Sequence, residues 1–198
     1  KEDKYMRTIR RGVFESNSSS THSIAISKEK VPNVAGRHVY FGAGEYGWGQ
    51  DCVGDTASYL HTAIVDSSTP AQYEERINKI KEILDRYGVQ YEFEPVEYKK
   101  SEYNPDYEYI EFASPRYRWA NVDHAGECAE LINALLSNED LLIRYLFGDS
   151  CIYTGNDNSD DEDSMRYCAE ATIWDDNYGT IPNPNHDAEH YDYFFKGN

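Results

Sequence analysis

The spacing of apolar positions along the chain predicts three to four helices and several short strands. The clearest helix is capped by Thr69, has Pro70 at its first position and ends before Gly88, and all three features are typical of helix ends. Its apolar residues recur at helical spacing: Tyr73, Ile77, Ile80, Ile83, Leu84 and Tyr87. One face of this helix is therefore expected to pack on a core.

Other segments carry weaker periodicities. Further helices are predicted over residues 55–65, 123–136 and 139–147, the second capped by Asp123. Strands are predicted over residues 7–14, 21–27, 38–41, 89–98, 107–113, 150–154 and 169–174. In the second strand, His22, Ile24 and Ile26 share one face. Because no regular strand–helix–strand repeat is visible, we expect an α+β fold with a mixed or antiparallel sheet.

The chain has 198 residues, which predicts a single domain. Residues 1–5, ahead of Met6, are expected to be flexible or to lie upstream of the native start. Residues 157–165 are expected to form an acidic loop. Residues 177–198 are expected to form a turn-rich tail whose aromatic cluster, Tyr193-Phe194-Phe195, docks on the body. No apolar run approaches about 20 residues, no secretory signal is visible and the four cysteines form no CxxC pair, so a cytoplasmic protein with free thiols is expected.

The formal net charge is −17. Such a field opposes direct binding to nucleic acids and anionic membranes and favours a basic partner. The 18 tyrosines suit a contact surface, because each combines an apolar ring with a hydrated hydroxyl. Residues 1–40 carry eight Lys and Arg against four Asp and Glu, whereas residues 149–198 carry two against twelve. Attraction between these two ends within the fold explains the asymmetry equally well, and the sequence does not indicate an oligomeric state.

Acidic residues in two segments are the candidate partner-binding residues. They are Asp157, Asp160, Asp161, Glu162 and Asp163 in the acidic loop, with Glu92 and Glu94 in a middle strand. On a strand, Glu92 and Glu94 share one face, opposite Tyr91 and Phe93. Asp157, Asp161 and Asp163 also alternate as in the first half of an EF-hand loop, so weak Ca²⁺ or Mg²⁺ binding is the alternative for them. The glycine and glutamate that complete an EF-hand are absent, and no resident cofactor is predicted.

The candidate catalytic residues are Arg11, Ser20, His22, Cys52 and His124. The hydroxyl-rich residues 16–23, close to Arg11, resemble the arginine strand and serine-threonine-serine strand of ADP-ribosyltransferases, whose glutamate would then be Glu92 or Glu94. Cys52 before a helix resembles the nucleophile of NlpC/P60-type cysteine peptidases, although Val53 stands where those enzymes have serine. Their histidine opens a strand, whereas His124 opens a predicted helix. A serine-rich turn and a packed small residue explain the same segments structurally, and that interpretation is favoured.

Three patches of the sequence resemble an uncharacterised group of small proteins from bacteriophages and mobile elements of Gram-positive gut bacteria. The patches are residues 10–23 (RRGVFESNSSSTHS), residues 57–60 (ASYL), and residues 146–150 (LFGDS) leading into 155–158 (GNDN). The resemblance implies a cytoplasmic protein of an infected host and carries over no catalytic residues.

We therefore expect an acidic protein that inhibits a host defence or nucleic-acid-processing protein by occupying its basic surface, with mimicry of nucleic acid as one route. Binding is favoured over catalysis. The alternatives are a small enzyme, ADP-ribosyltransferase-like or cysteine-hydrolase-like, with its site around residues 18–23, and a phage structural or cargo protein.

Overall fold

The computed structural model describes residues 20–31, 33–47, 51–156 and 169–196, and within them it leaves out the side chains of residues 20, 51, 52, 127, 155, 156, 195 and 196. The described helices are α1 (Thr56–Ser67), α2 (Pro70–Arg86), α3 (Ala129–Ser137) and α4 (Glu139–Phe147), with two 3₁₀ helices, η1 (Pro115–Tyr117) and η2 (Ala125–Cys128). The described strands are β1 (Ser20–Ser27), β2 (His38–Phe41), β3 (Glu45–Tyr46), β4 (Asp51–Val53), β5 (Gln90–Phe93), β6 (Val96–Lys100), β7 (Glu108–Phe112), β8 (Asn121–Val122), β9 (Ser150–Asn156), β10 (Thr172–Asp175), β11 (Gly179–Pro182) and β12 (Tyr191–Lys196). The α+β architecture expected from the sequence is confirmed.

The main sheet has four antiparallel strands in the order β12-β1-β9-β4. Ile24 of β1 lies opposite both Phe194 of β12 and Ile152 of β9. The predicted face of β1 is confirmed, since His22, Ile24 and Ile26 are all buried. Thr21, Ser23 and Ser27 on the opposite face are buried too, so the sheet is covered on both sides along this strand.

Helix α1 is the centre of the fold. All its residues from Thr56 to Val65 are buried, and it contacts β9 of the main sheet, the shorter ladders at β2, β7 and β8, and the other three helices. Asp55 caps it, accepting hydrogen bonds from the backbone N and hydroxyl of Ser58. A helix buried on every side must satisfy its own polar groups, and the hydroxyl of Thr62 accordingly donates to the carbonyl of Ser58.

Helix α2 matches its prediction closely. Thr69 caps it in a capping box with Gln72, Pro70 is its first residue, and Gly88 follows its end with a positive φ of 67°. Helix α4 is fixed to the sheet by Arg144, whose guanidinium donates to the Ser27 carbonyl at 2.7 Å and contacts the carboxylates of Asp192 at 3.0 Å and Asp140 at 2.9 Å. The arginine is only 7% exposed. Its hydrogen bonds therefore join α4, β1 and β12 at a site from which most water is excluded.

The helix predicted to begin at Asp123 was placed wrongly. The short strands β3 and β8 pair in parallel, and the Asp123 backbone N donates to the Tyr46 carbonyl next to that ladder. Asp123 therefore extends this ladder by one backbone hydrogen bond and does not begin a helix. His124 follows in the left-handed conformation with φ 56°, η2 comes next, and α3 begins only at Ala129.

The single strand predicted over residues 89–98 is also wrong, because it is divided at Glu94 and Pro95. β5 pairs in parallel with β2, whereas β6 pairs antiparallel with β7. Proline has no N–H for a ladder and disfavours helical backbone before it, so the chain changes partner at this point. The Pro95 carbonyl still accepts a hydrogen bond from Ala113 N.

The C-terminal prediction needs correction as well. The strand expected over residues 169–174 is β10 at Thr172–Asp175, and it is not the last, since β11 and β12 follow within the segment expected to be turn-rich. Docking of Tyr193 and Phe194 is confirmed, because β12 pairs with β1. Three predicted segments lie in the part of the chain that the structure does not describe. They are residues 1–5, the strand over residues 7–14 and the acidic loop over residues 157–165. Within those ranges, no helix combines the length and apolarity that crossing a bilayer requires.

Candidate binding surface

The parallel pair β2–β5 presents one polar face and one apolar face. Val39 and Phe41 of β2 are buried, while Tyr40 between them is 39% exposed. Tyr40 lies opposite Glu92 in the ladder, and Glu92 is exposed. Tyr91 and Phe93 alternate with Glu92 and are half-buried. The prediction that Glu92 points away from Tyr91 and Phe93 is thus confirmed.

Glu94 follows the last residue of β5 and continues the ladder by one bond, from its backbone N to the Phe41 carbonyl at 2.9 Å. Its side chain is half-buried, and its carboxylate accepts a hydrogen bond from the Tyr40 hydroxyl. Glu92 and Glu94 therefore stand on either side of one tyrosine. We call Tyr40, Glu92 and Glu94 the Tyr40 patch.

In the Tyr40 patch, the tyrosine hydroxyl is a hydrogen-bond donor beside two acidic side chains. The hydrogen bond to Glu94, then burial and the charges of Glu94 and Glu92, raise the pKa of Tyr40 well above its usual range. Tyr40 therefore remains a neutral donor at any physiological pH. Among the residues that the structure describes, neither Glu92 nor Glu94 forms an ion pair with a lysine or arginine. Two uncompensated negative charges consequently face solvent.

Two more tyrosine–carboxylate pairs lie on neighbouring elements. The Tyr98 hydroxyl of β6 donates to Glu74 of α2, and burial together with this bond raises the pKa of Tyr98 to about 12. Burial and a hydrogen bond to Asp85 raise the pKa of Tyr91. In each pair a neutral hydroxyl orients an anion without cancelling its charge, which is how the many tyrosines and the acidity of the chain combine.

The Tyr40 patch rests on a buried histidine. His61 of α1 is fully buried, and its Nδ1 lies 2.8 Å from the Phe41 carbonyl and 2.9 Å from the Gly42 carbonyl. Because carbonyls only accept, Nδ1 carries the proton, and Nε2 accepts from the Tyr73 hydroxyl at 3.1 Å. Burial lowers the pKa of His61 to about 4, against its hydrogen bonds and the Glu94 charge, which favour protonation. Neutral His61 thus ties the end of β2 to α1 and α2.

A cavity of about 240 Å³ opens beside the β6–β7 hairpin, the end of α1 and residues 113–120. Glu97 and Glu111 line it and lie directly opposite each other in the ladder. The Lys99 ammonium is 3.0 Å from Glu97 and 3.9 Å from Glu111. One ammonium therefore serves two carboxylates, and the hairpin adds to the acidity of this side of the molecule.

The main sheet contains three of the predicted catalytic residues, Ser20 and His22 on β1 and Cys52 on β4, and β9 lies between these two strands. Ser20 pairs with Asn156, and Cys52 pairs with Tyr153, the residue that also lies opposite Ser23. His124 stands at the start of η2, and Arg11 lies outside the described residues. The sheet thus pairs the end of the serine-rich segment with Gly155 and Asn156, the last residues of β9.

His22 is placed in the interior. It is fully buried, and its Nδ1 lies 2.6 Å from the Tyr59 hydroxyl, which is 3.5 Å from the Cys128 sulfur. Burial raises the pKa of Tyr59 well above its usual range. The residues from Thr21 to Ser23 are likewise buried. The hydroxyl-rich segment, where described, is therefore a packed strand that stabilises the core, which differs from the exposed loop that an anion-binding site would need.

The other predicted partner-binding and metal-binding residues, Asp157, Asp160, Asp161, Glu162 and Asp163, lie outside the described residues. Within the described ranges, no three His, Cys, Asp or Glu side chains are grouped so as to hold a metal ion. Sequence reasoning missed Tyr40 and His61. The alternation His38-Val39-Tyr40-Phe41 was the available signal for Tyr40, whereas a histidine within an apolar helix gave no indication of its partners.

Comparisons with known proteins add no relative: no protein-family model, no curated protein and no solved structure matches the chain.

Proposed function

We propose that the protein is an acidic binding protein, made during phage infection, that inhibits a host protein by occupying its basic surface. One observation carries the proposal: Glu92 and Glu94 flank Tyr40 on an exposed sheet face, and neither is paired with a lysine or arginine of the described chain. The resemblance of residues 10–23 to a group of phage proteins supports the source, and the acidity supports the kind of partner.

The Tyr40 patch is suited to such contact because it is already ordered. Glu94 is held by the Tyr40 hydroxyl and by the ladder bond to Phe41, so little side-chain entropy is lost when a cation approaches. Around the patch, residues 90–112 carry seven Asp and Glu against two Lys. A field of this sign accelerates encounter with a basic groove and makes binding weaken as salt is added. A groove that normally holds phosphates is one such target, since carboxylates displace its counterions in the same way.

The test compares the wild-type protein with E92Q/E94Q as immobilised bait in host lysate, with mass spectrometry of the retained proteins. The matched control is E29Q/E75Q, which removes two exposed carboxylates from other parts of the molecule. We expect at least one basic host protein to bind the wild type and the control, to elute between about 0.1 and 0.5 M salt, and to be lost from E92Q/E94Q. Displacement of that protein by double-stranded DNA would identify its groove as a nucleic-acid site. Equal retention by E92Q/E94Q would contradict the role of the Tyr40 patch.

A catalytic function has one observation in its favour, the pairing of Ser20 with Asn156 at the end of the main sheet. The complete burial of His22 counts against it, because a catalytic imidazole must reach its substrate. A thermal-shift screen with NAD, other nucleotides, Ca²⁺ and Mg²⁺ tests this alternative, and stabilisation by several degrees from one of them would favour it.

A further inference from the structure

The β10–β11 hairpin is built as a stiff projection. Its strands pair only with each other among the described elements. Asp175 lies opposite Gly179, so three residues form the connecting loop, and Gly179 has a φ of 73°. This is the geometry of a three-residue hairpin loop closed by a left-handed glycine. The Asp175 carboxylate accepts hydrogen bonds from the backbone N of Asn177 at 2.8 Å and of Tyr178 at 3.0 Å.

The base of the hairpin is held just as firmly. Asn183 is 5% exposed, its backbone N donates to the Ala171 carbonyl at 3.0 Å, and its side-chain amide donates to the Glu170 carbonyl at 2.9 Å. These bonds join the two ends of the hairpin across its open side. An isolated two-stranded hairpin is marginally stable in water, so both the loop and the base supply order that the strands alone would lack.

This ordered projection exposes two large aromatic side chains. Trp174 is 74% exposed and Tyr178 is 80% exposed, whereas Ile173 and Ile181 on the other side of the ladder are half-buried. A tryptophan that is 74% exposed forgoes most of the stabilisation that its burial would provide. Tryptophan and tyrosine on a rigid backbone are the side chains that most often dominate binding energy at interfaces.

We propose that the β10–β11 hairpin anchors the protein to its partner, with Trp174 and Tyr178 entering an apolar cleft that is rimmed by lysine or arginine. Charge complementarity fixes the nature of that rim, since Asp175 and Asp176 lie between the two rings in sequence and the whole chain is strongly acidic. The inference rests on the proposed function for the existence of a basic partner. It assigns a separate anchor to a surface that lies outside the Tyr40 patch.

The experiment uses the host protein that is retained by the wild type in the capture described above, purified and titrated by isothermal calorimetry. W174A/Y178A is compared with W119A/Y103A, a control that removes another exposed tryptophan and tyrosine, which are 66% and 98% exposed. We expect W174A/Y178A to weaken binding at least tenfold, equivalent to about 1.4 kcal/mol, with an unchanged salt dependence. The control is expected to bind within twofold of the wild type.

Unchanged circular dichroism and thermal midpoints show that each variant is folded. Binding of W174A/Y178A within twofold of the wild type overturns the anchor while leaving the proposed function intact. Loss of binding in W174A/Y178A together with normal binding of E92Q/E94Q supports the anchor and overturns the role of the Tyr40 patch. If the wild type retains no basic host protein at all, the proposed function and the anchor both fall.

Discussion

Acidification should destabilise the protein through His61 in particular. The buried imidazole has a pKa of about 4 in the folded protein, against about 6.5 in an unfolded chain. Because the unfolded chain binds the proton more readily, stability that is complete above pH 6.5 is lost as the pH falls toward 4. At about 1.36 kcal/mol for each pH unit between the two values, the unfolding free energy at pH 4 should be about 3 kcal/mol lower than at pH 7.5 from this residue alone.

Urea unfolding of the wild type and of H61Q, at half-unit steps from pH 7.5 to 4, isolates this contribution. Glutamine keeps a donor for the Phe41 and Gly42 carbonyls and an acceptor for the Tyr73 hydroxyl, yet it does not titrate. The difference between the two proteins should therefore shrink by about 3 kcal/mol on acidification, or about 1 to 2 M in urea midpoint. Carboxylates elsewhere titrate equally in both proteins and cancel.

A wild-type curve that runs parallel to that of H61Q across this pH range would refute the reasoning. Should H61Q fail to fold, an NMR titration of the His61 imidazole gives the same information directly, and a pKa above 6 would refute it. E94Q extends the test. The Glu94 charge favours the protonated imidazole, so its removal should lower the pKa of His61 further.

Three further substitutions test the packing by urea unfolding. R144M should lower the free energy of unfolding by about 2 to 4 kcal/mol, because the buried guanidinium of Arg144 donates to three groups. R86M, which breaks the exposed ion pair with Glu139, should lower it by at most about 1 kcal/mol, and equal losses would contradict this reasoning. Y59F should cost about 1 to 2 kcal/mol by removing a buried hydroxyl that contacts an imidazole and a thiol, and no measurable loss would show that the hydroxyl is dispensable. G148A should cost about 1 to 3 kcal/mol, since its Cβ would lie 2.5 Å from a backbone carbonyl oxygen, and wild-type stability would mean that the backbone relaxes freely there.

The elements predicted best from the sequence are those specified by local chemistry. Thr69, Pro70 and Gly88 determine the ends of α2 without help from the rest of the chain. The same holds for the alternation in β1 and β2. The predictions fail where contacts with a distant segment of the chain determine the local structure. Asp123 has a side chain that suits a helix cap, but its backbone N donates a hydrogen bond to the carbonyl of Tyr46 in a distant segment.

The candidate surface shows the same division. The opposite orientation of Glu92 and Tyr91 follows from the two-residue period of a strand. The pairing of Glu92 with Tyr40 does not follow from the sequence, because the parallel ladder between β2 and β5 joins segments that α1 and α2 separate along the chain. His22 follows the same pattern. The alternation in β1 places His22 on the face of Ile24 and Ile26, but its contact with Tyr59 of α1 comes from a distant segment and is not visible in the sequence.

The strand order of the main sheet has a consequence for how the protein is made. β1 is an inner strand, yet its two neighbours begin only at Ser150 and Tyr191. On a ribosome that adds about 5 to 20 residues each second, β1 emerges roughly 6 to 25 seconds before the first of them. During that interval the helices have time to form, while β1, which is buried in the folded protein, has neither of its neighbouring strands. The nascent chain is therefore most exposed to aggregation, and most dependent on chaperones, before β9 has been synthesised.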